Sequence, residues 1–284
     1  MSGKDLSMIF ITVNGVIAES VSALDRGLAY GDGVFETCHL QNGNISLWSY
    51  HVERLMRSLS RLSIVCDQSL IETFIKKTID SAPVQYRNKS VFKLIVTRGV
   101  GARGYGFDDD LTPTIICCLS PAPAVNDSPV RLPLLKTLLG CSSALAGMKH
   151  LNRLENVLLK AECQRLGVDD GLAANESGFV IETTHSNVFF KFSDGWRTPR
   201  LNVSGVNGVM RQLVIDRLMP ENNIDVCEAD ISIAQLPEVT AAFCCNSVRG
   251  LTAIEAVGDH LLSIDDSYYC LVDSFKARKD DIKK

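Results

Sequence analysis

The chain has 284 residues, 46% of them hydrophobic and 22% charged, long enough to bury the cores of two ordinary domains. A formal charge of -4 and a pI near 5.8 exclude an overall drive toward nucleic acid or an anionic membrane, while leaving room for a local basic pocket. Ten cysteines without C-x-x-C spacing, several inside apolar runs such as "TIICCLS" and "AAFCCNS", read as small hydrophobes of a reducing cytoplasm rather than disulfides or metal ligands.

In chain order, "MSGKDLSMIFITVNG" holds only a short apolar run that a turn ends at once, so it reads as a strand and not as a signal peptide or membrane anchor. "MIFITV", Asn14-Gly15 and "VIAES" predict a hairpin, and "FETCHLQ", Asn42-Gly43 and "NISLW" predict another, because Asn-Gly suits a type I′ turn. A helix follows from about Ser49, with Val52, Leu55, Met56, Leu59 and Leu62 on one face, and a second covers about 69–80. "SVFKLIVTR" and "PTIICCLS" read as strands on either side of the Gly-rich, aromatic-bearing segment "GVGARGYGFDDD" at 99–110. "SPAPAVNDSPVRLP" at 120–133 holds four of the nine prolines and marks a boundary. The chain therefore divides into an N-terminal α+β domain (1–120), an extended linker (121–133) and a C-terminal domain (134–284). The second half carries a helix at 153–166 and strands near 171–175, 179–182 and 186–192. A helix from about Asn207 follows, then strands near 224–228, 240–245 and 251–257 and a terminal helix. Two α+β domains with a cleft between them are expected.

Several stretches carry possible chemistry. In "GMKHLNRLENVLLK" at 147–160, Asn152 is expected as the N-cap of a helix, with Glu155 completing a capping box and Gly167 ending it. Leu154, Val157, Leu158 and Ala161 recur at helical period and are expected to form its buried face. Lys149 then lies in the turn before that helix, either a solvated charge or an amine held for chemistry. In "HVERLMRSLSRL", Arg54 and Arg61 lie seven apart and share a face, either as a polar flank or as a source of a bidentate phosphate contact. Two glycines in "SGVNGVMRQLVIDRL" precede an amphipathic helix, a start that offers unpaired amides and a positive dipole to an anion. Asn246 and Ser247 close an apolar strand and either hold phosphate oxygens or simply turn the chain. Glu182, where one strand ends, needs a cationic partner such as a protonated ring nitrogen if it faces inward.

Other chemistries lack their signatures. The five histidines show no H-E-x-x-H or paired metal-ligand spacing, and neither a G-x-S-x-G elbow nor a P-loop is present. "GDGVF" is not the G-x-G-x-x-G pattern, and nucleic-acid-binding signatures are missing. Taken together, a phosphate held by Arg54 and a helix start, a ring nitrogen paired with Glu182 and a lysine amine describe one ligand, pyridoxal 5′-phosphate (PLP).

The order of these motifs resembles the fold-type IV, or class IV aminotransferase, family of PLP enzymes. The resemblance runs through "DRGLAYGDGVFET", "HVERL", "TRGVGARGYG", "KHLNRLEN", "ETTHSNVFF" and "GVNGVMRQ". It implies a two-domain α+β fold like that of D-amino acid aminotransferases, with the cofactor in the interdomain cleft. It further implies that Lys149 forms the Schiff base, that Glu182 pairs with the pyridine nitrogen and that Arg54 binds the phosphate. Val209 and Met210 amides would add phosphate contacts, with Asn246 and Ser247 closing the cup. Arg103 and Tyr105 match the loop that in relatives reaches the substrate carboxylate from the partner subunit, so a homodimer is expected. Around the lysine, the motifs look most like those of members that convert 4-amino-4-deoxychorismate into p-aminobenzoate and pyruvate for folate synthesis. Transamination of D-amino or branched-chain amino acids is the alternative. Phe35 stands at a substrate-facing position where D-amino acid transaminases often carry tyrosine, which speaks mildly against their substrate mode.

Overall fold

A computed structural model describes residues 9–124 and 128–278. The first residues of the N-terminal strand reading (1–8), the centre of the predicted linker (125–127) and positions 279–284 lie outside the described residues. The chain forms two units: one holds the described residues through Ala124 together with Lys149–Asn152, the other those from 128 to Met148 and from Arg153 onward.

The first unit contains β1 (Phe10–Val13), β2 (Val16–Ile17), α1 (Arg26–Tyr30), β3 (Gly33–Gln41), β4 (Asn44–Ile45) and α2 (Trp48–Arg61). It continues with α3 (Gln68–Ser81), α4 (Val84–Asn88), β5 (Lys89–Thr97) and β6 (Thr114–Pro121). Asn14-Gly15 and Asn42-Gly43 all have positive φ and close the β1–β2 and β3–β4 hairpins as expected. Six antiparallel strands run in the order β2-β1-β6-β5-β3-β4. Leu55 and Leu59 of α2 and Ile71 of α3 pack with Phe92, Leu94 and Ile115 of the sheet, each contributing roughly 1.5–3 kcal/mol by leaving water.

Along β3 the period of two buries Val34, Glu36, Cys38 and Leu40, while Phe35, Thr37 and His39 are half-buried. A carboxylate therefore shares a face with three apolar side chains. Helix α2 answers it by burying His51 and Arg54 alongside Leu55 and Leu59. Arg61, expected to share the face of Arg54, is exposed at the helix end, because the helix stops there.

The second unit contains β7 (Val130–Leu132), α5 (Leu154–Leu166), β8 (Leu172–Ala174), β9 (Phe179–Thr183), β10 (Asn187–Phe192) and β11 (Gly195–Pro199). It ends with α6 (Val209–Leu213), α7 (Met219–Glu221), β12 (Val226–Ala229), β13 (Ile231–Ser232), β14 (Ala241–Asn246), β15 (Gly250–Val257), β16 (His260–Leu261) and α8 (Asp266–Ala277). A single π turn, Val214–Leu218, joins α6 to α7. One sheet has the order β12-β11-β10-β14-β15-β16 with β7 parallel to β15, and a second has the order β13-β9-β8. Met210, Leu213, Val214 and Leu218 are buried, as their spacing predicts. Strand β7 falls inside the stretch read as a linker; only its pairing with β15, more than a hundred residues later, distinguishes it from extended loop.

Helix α5 corrects two expectations. Leu154, Val157 and Leu158 are 78%, 60% and 58% exposed, and the buried residues are Leu159, Glu162 and Cys163. Periodicity counts every apolar residue toward the core, but here a glutamate is buried because the chain satisfies it. The Glu162 carboxylate accepts from the amides of Lys136 and Thr137 and from the Thr137 hydroxyl at 2.7–2.9 Å. The N-cap is Arg153, without a side-chain cap. Asn152 instead donates to the Gly31 carbonyl at 3.2 Å, and Glu155 accepts from the Gly140 amide at 3.1 Å. Gly167, at φ 69°, ends the helix as expected.

All ten cysteines are free. Burial pushes the Cys117 and Cys244 thiols up to about 12, so they pack as apolar groups rather than react. No helix among the described residues is long and apolar enough to cross a membrane.

Candidate active site

In the first unit, residues 149–151 run against the start of β3. The Phe35 amide donates to the Lys149 carbonyl at 2.9 Å, the Leu151 amide donates to the Gly33 carbonyl at 3.0 Å, and His150 bridges to Val34. Lys149 therefore sits on hydrogen-bonded backbone, outside any helix. Its Nζ stands 4.5 Å from the centroid of the Phe35 ring, and Lys93 Nζ lies 5.0 Å from the same ring. The aromatic face holds the half-buried amine by a cation–π contact and offers it no hydroxyl.

Beside it lies a buried polar triad that the sequence reading missed. Glu36 is 1% exposed; its carboxylate accepts from Arg54 Nε at 2.9 Å, from Arg54 Nη2 and from His51 Nδ1 at 2.6 Å. Burial works to raise the Glu36 pKa, but Arg54 and His51 outweigh it and hold the group at about 2. Burial lowers the pKa of His51, partly offset by Glu36. A neutral ring with its proton on Nδ1 leaves at Nε2, which has no hydrogen-bond partner, only a bare lone pair rather than an unmet buried N–H. Glu36 thus takes two of the five guanidinium donors of Arg54 and fixes the plane of the rest. The alternation of "GVFETCHL" was the available signal: a glutamate in phase with Val34, Cys38 and Leu40 requires a cation. Arg103 and Tyr105 belong to the same unit, in the segment between β5 and β6; both are exposed.

In the second unit, Glu182 near the end of β9 is 5% exposed and its Oε2 accepts from the Val206 amide at 2.9 Å. Asn187 orders the same turn, donating to the Val206 carbonyl at 2.8 Å and accepting from the Gly208 amide at 3.1 Å. Gly208 is the N-cap of α6 and brings no side-chain cap, so the amides of Val209 and Met210 open a helix whose first donors have no intrahelical acceptor. A Cβ on Gly208 would meet Asn187 Oδ1 at 2.0 Å. Arg211 fixes the helix from beneath through the Pro199 carbonyl at 3.0 Å and Glu228 at 2.9 Å. Asn246 ends β14, donating to Ser186 Oγ at 2.9 Å and accepting from the amides of Val248 and Arg249. Ser247 follows it in the turn.

These residues fit PLP on their own chemistry. A buried carboxylate suits a pyridinium nitrogen, an uncapped helix start suits a phosphate, and a lysine amine resting on an aromatic ring suits an aldehyde. The first unit gathers Lys149, Phe35 and Arg54; the second gathers Glu182, Val209, Met210, Asn246 and Ser247. Fold and residues together define an enzyme of the pyridoxal-phosphate class.

The family model described as amino-transferase class IV matches residues 33–257. The chain belongs to the class IV aminotransferase family, and its cofactor is PLP. It is 32% identical over 251 residues to the aminodeoxychorismate lyase of Vibrio harveyi, covering 86% of this chain and 90% of that protein. It is 32% identical over 225 residues to a putative branched-chain-amino-acid aminotransferase of Methanocaldococcus jannaschii, covering 76% and 75%. The crystal structure of 4-amino-4-deoxychorismate lyase from Pseudomonas aeruginosa superposes with a TM-score of 0.88 at 33% identity, covering 95% of this chain and 99% of that one.

Proposed function

We propose that this protein converts 4-amino-4-deoxychorismate into p-aminobenzoate and pyruvate, as a carbon–oxygen lyase of folate synthesis. The observation that carries this reading is the near-complete likeness to the Pseudomonas lyase, 33% identical across 99% of that chain. The Phe35 ring under the lysine amine agrees with it in offering no hydroxyl there.

When bound, PLP supplies an aldehyde that condenses with amines and a pyridinium ring that accepts an electron pair. Lys149 would hold the cofactor through its Nζ. The same Nζ would take the proton from the amine-bearing ring carbon of the substrate and return one as the enolpyruvyl group departs as pyruvate. Glu182 keeps the pyridine nitrogen protonated. Arg54, oriented by Glu36, and the amides of Val209 and Met210 bind the phosphate, with Asn246 and Ser247 beside them. Arg103 and Tyr105 meet the substrate carboxylate from the partner subunit of a homodimer. Their exposure supports that role, Tyr105 being 86% exposed. The free, buried thiols support a reducing cytoplasm as its compartment.

The test is incubation of the holoenzyme with 4-amino-4-deoxychorismate and no amino acceptor. Release of p-aminobenzoate and pyruvate in equal amounts is expected, and Lys149→Ala, which borohydride should no longer fix to the cofactor, should abolish it. No products from the wild type, with turnover of D-alanine or a branched-chain amino acid plus a 2-oxo acid, would make it a transaminase. The Methanocaldococcus relative keeps that second reading open.

A further inference from the structure

The mechanism leaves unused the buried guanidinium of Arg26 at the start of α1, which is 3% exposed. Between β5 and β6 the chain runs from Arg98 to Pro113 without a regular strand or helix, so its carbonyls must find partners elsewhere. Three consecutive ones converge on Arg26: Nη1 donates to Gly104 and Gly106, and Nη2 to Tyr105, each at 3.0 Å. Nε donates to Asp32 at 2.9 Å. Asp32 is shared with Arg98, whose Nε and Nη2 reach it at 2.7 and 3.0 Å. The Tyr30 hydroxyl accepts from the Gly104 amide at 2.8 Å, and the Phe107 ring lies 3.6 Å from the Arg98 guanidinium carbon.

A buried cation is costly unless its donors are met, and here the loop backbone meets them. The planar fork is what lets one side chain collect three successive carbonyls and a carboxylate at once; a lysine ammonium, with three donors radiating from one atom, cannot span them. With the carbonyls of 104–106 turned inward, Arg103 and Tyr105 are left facing solvent.

We propose that Arg26 is a positioning residue for the substrate carboxylate: it sets the backbone of 104–106 and thereby aims Arg103 and Tyr105. This rests on the proposed function for the identity of the substrate, but the claim about the loop does not.

The experiment compares wild-type, Arg26→Lys and Arg26→Gln holoenzymes by amide hydrogen exchange over 99–107, by kcat and KM, by cofactor absorbance and by thermal melting. Losing hydrogen bonds to a charged donor should speed exchange in that segment about tenfold or more. It should raise KM about tenfold while kcat changes less than about threefold and cofactor content stays constant. Lysine should not rescue either readout. Unchanged exchange, a lysine variant with wild-type KM, or a lowered melting temperature with KM intact would each overturn the proposal. Should Arg26→Gln not fold, Arg26→Lys alone decides. Should the wild type transaminate instead of releasing p-aminobenzoate, the substrate reading fails, and exchange together with KM for the amino acid still judges Arg26.

Discussion

Replacing Glu36 by glutamine tests whether the buried triad it forms with Arg54 and His51 is built on charge. The change keeps the shape and one acceptor, but it leaves the Arg54 guanidinium, 5% exposed, without its counter-charge. Glu36 titrates at about 2 in the folded protein against an ordinary 4.5, a difference worth about 3 kcal/mol. Stranding one member of a buried ion pair costs a similar ~3–5 kcal/mol. For units of this size that corresponds to a melting-temperature loss of roughly 10 °C. The pH dependence has a defined sign. Because the folded pKa is depressed, the stabilisation is fully present above 4.5 and is lost as pH falls from 4.5 toward 2. His51, also depressed, adds loss in the same direction below 6.5. Thermal melts of the apoprotein between pH 3 and 8 should therefore show Glu36→Gln lowered at neutral pH and converging on the wild type in acid. A variant within about 2 °C of the wild type at pH 7, or one running parallel to it down to pH 3, would refute the charge-based account.

Three further substitutions follow from the geometry. Glu182→Gln keeps an acceptor for the Val206 amide but cannot hold a pyridinium proton, so kcat should fall ~100-fold or more with cofactor absorbance largely retained; equal turnover would remove Glu182 from its role. Gly208→Ala places a methyl 2.0 Å from Asn187 Oδ1, so either the start of α6 or the Asn187 side chain that orders it must shift. It should cost about 1–3 kcal/mol in urea unfolding and lose PLP faster on dialysis. Leu159→Ala removes a fully buried side chain on the true inner face of α5 and should cost about 2–5 kcal/mol by the same unfolding assay.

Local rules carried much of the fold. Asn-Gly at 14–15 and 42–43 specified two hairpins because φ > 0 at both turn residues is tolerated there. The glycine at 167 ended α5, and the apolar spacing of Met210, Leu213, Val214 and Leu218 named the inner face of its helix correctly. Short elements escaped: β7 and β11 have too few residues to show a period, and β7 is flanked by prolines. On α5 the same periodicity named the wrong face, since it cannot foresee a glutamate whose oxygens meet two amides and a hydroxyl of residues 136–137.

Of the candidate site, the sequence by itself determined the inventory: a lysine before a helix, an arginine on one, a glutamate ending a strand and a glycine entry to another helix. Those follow from residue type and neighbours within one turn or strand. Tertiary structure alone decided what surrounds each of them. The Lys149 carbonyl is pinned by the Phe35 amide and the neighbouring Leu151 amide by the Gly33 carbonyl, more than a hundred positions earlier. Arg54 is buried because Glu36 waits on the adjacent strand, and Arg26 is buried because three distant carbonyls turn toward it. Such partners are fixed by strand pairing and by the need to satisfy buried polar groups, interactions across long stretches of chain that no local pattern encodes.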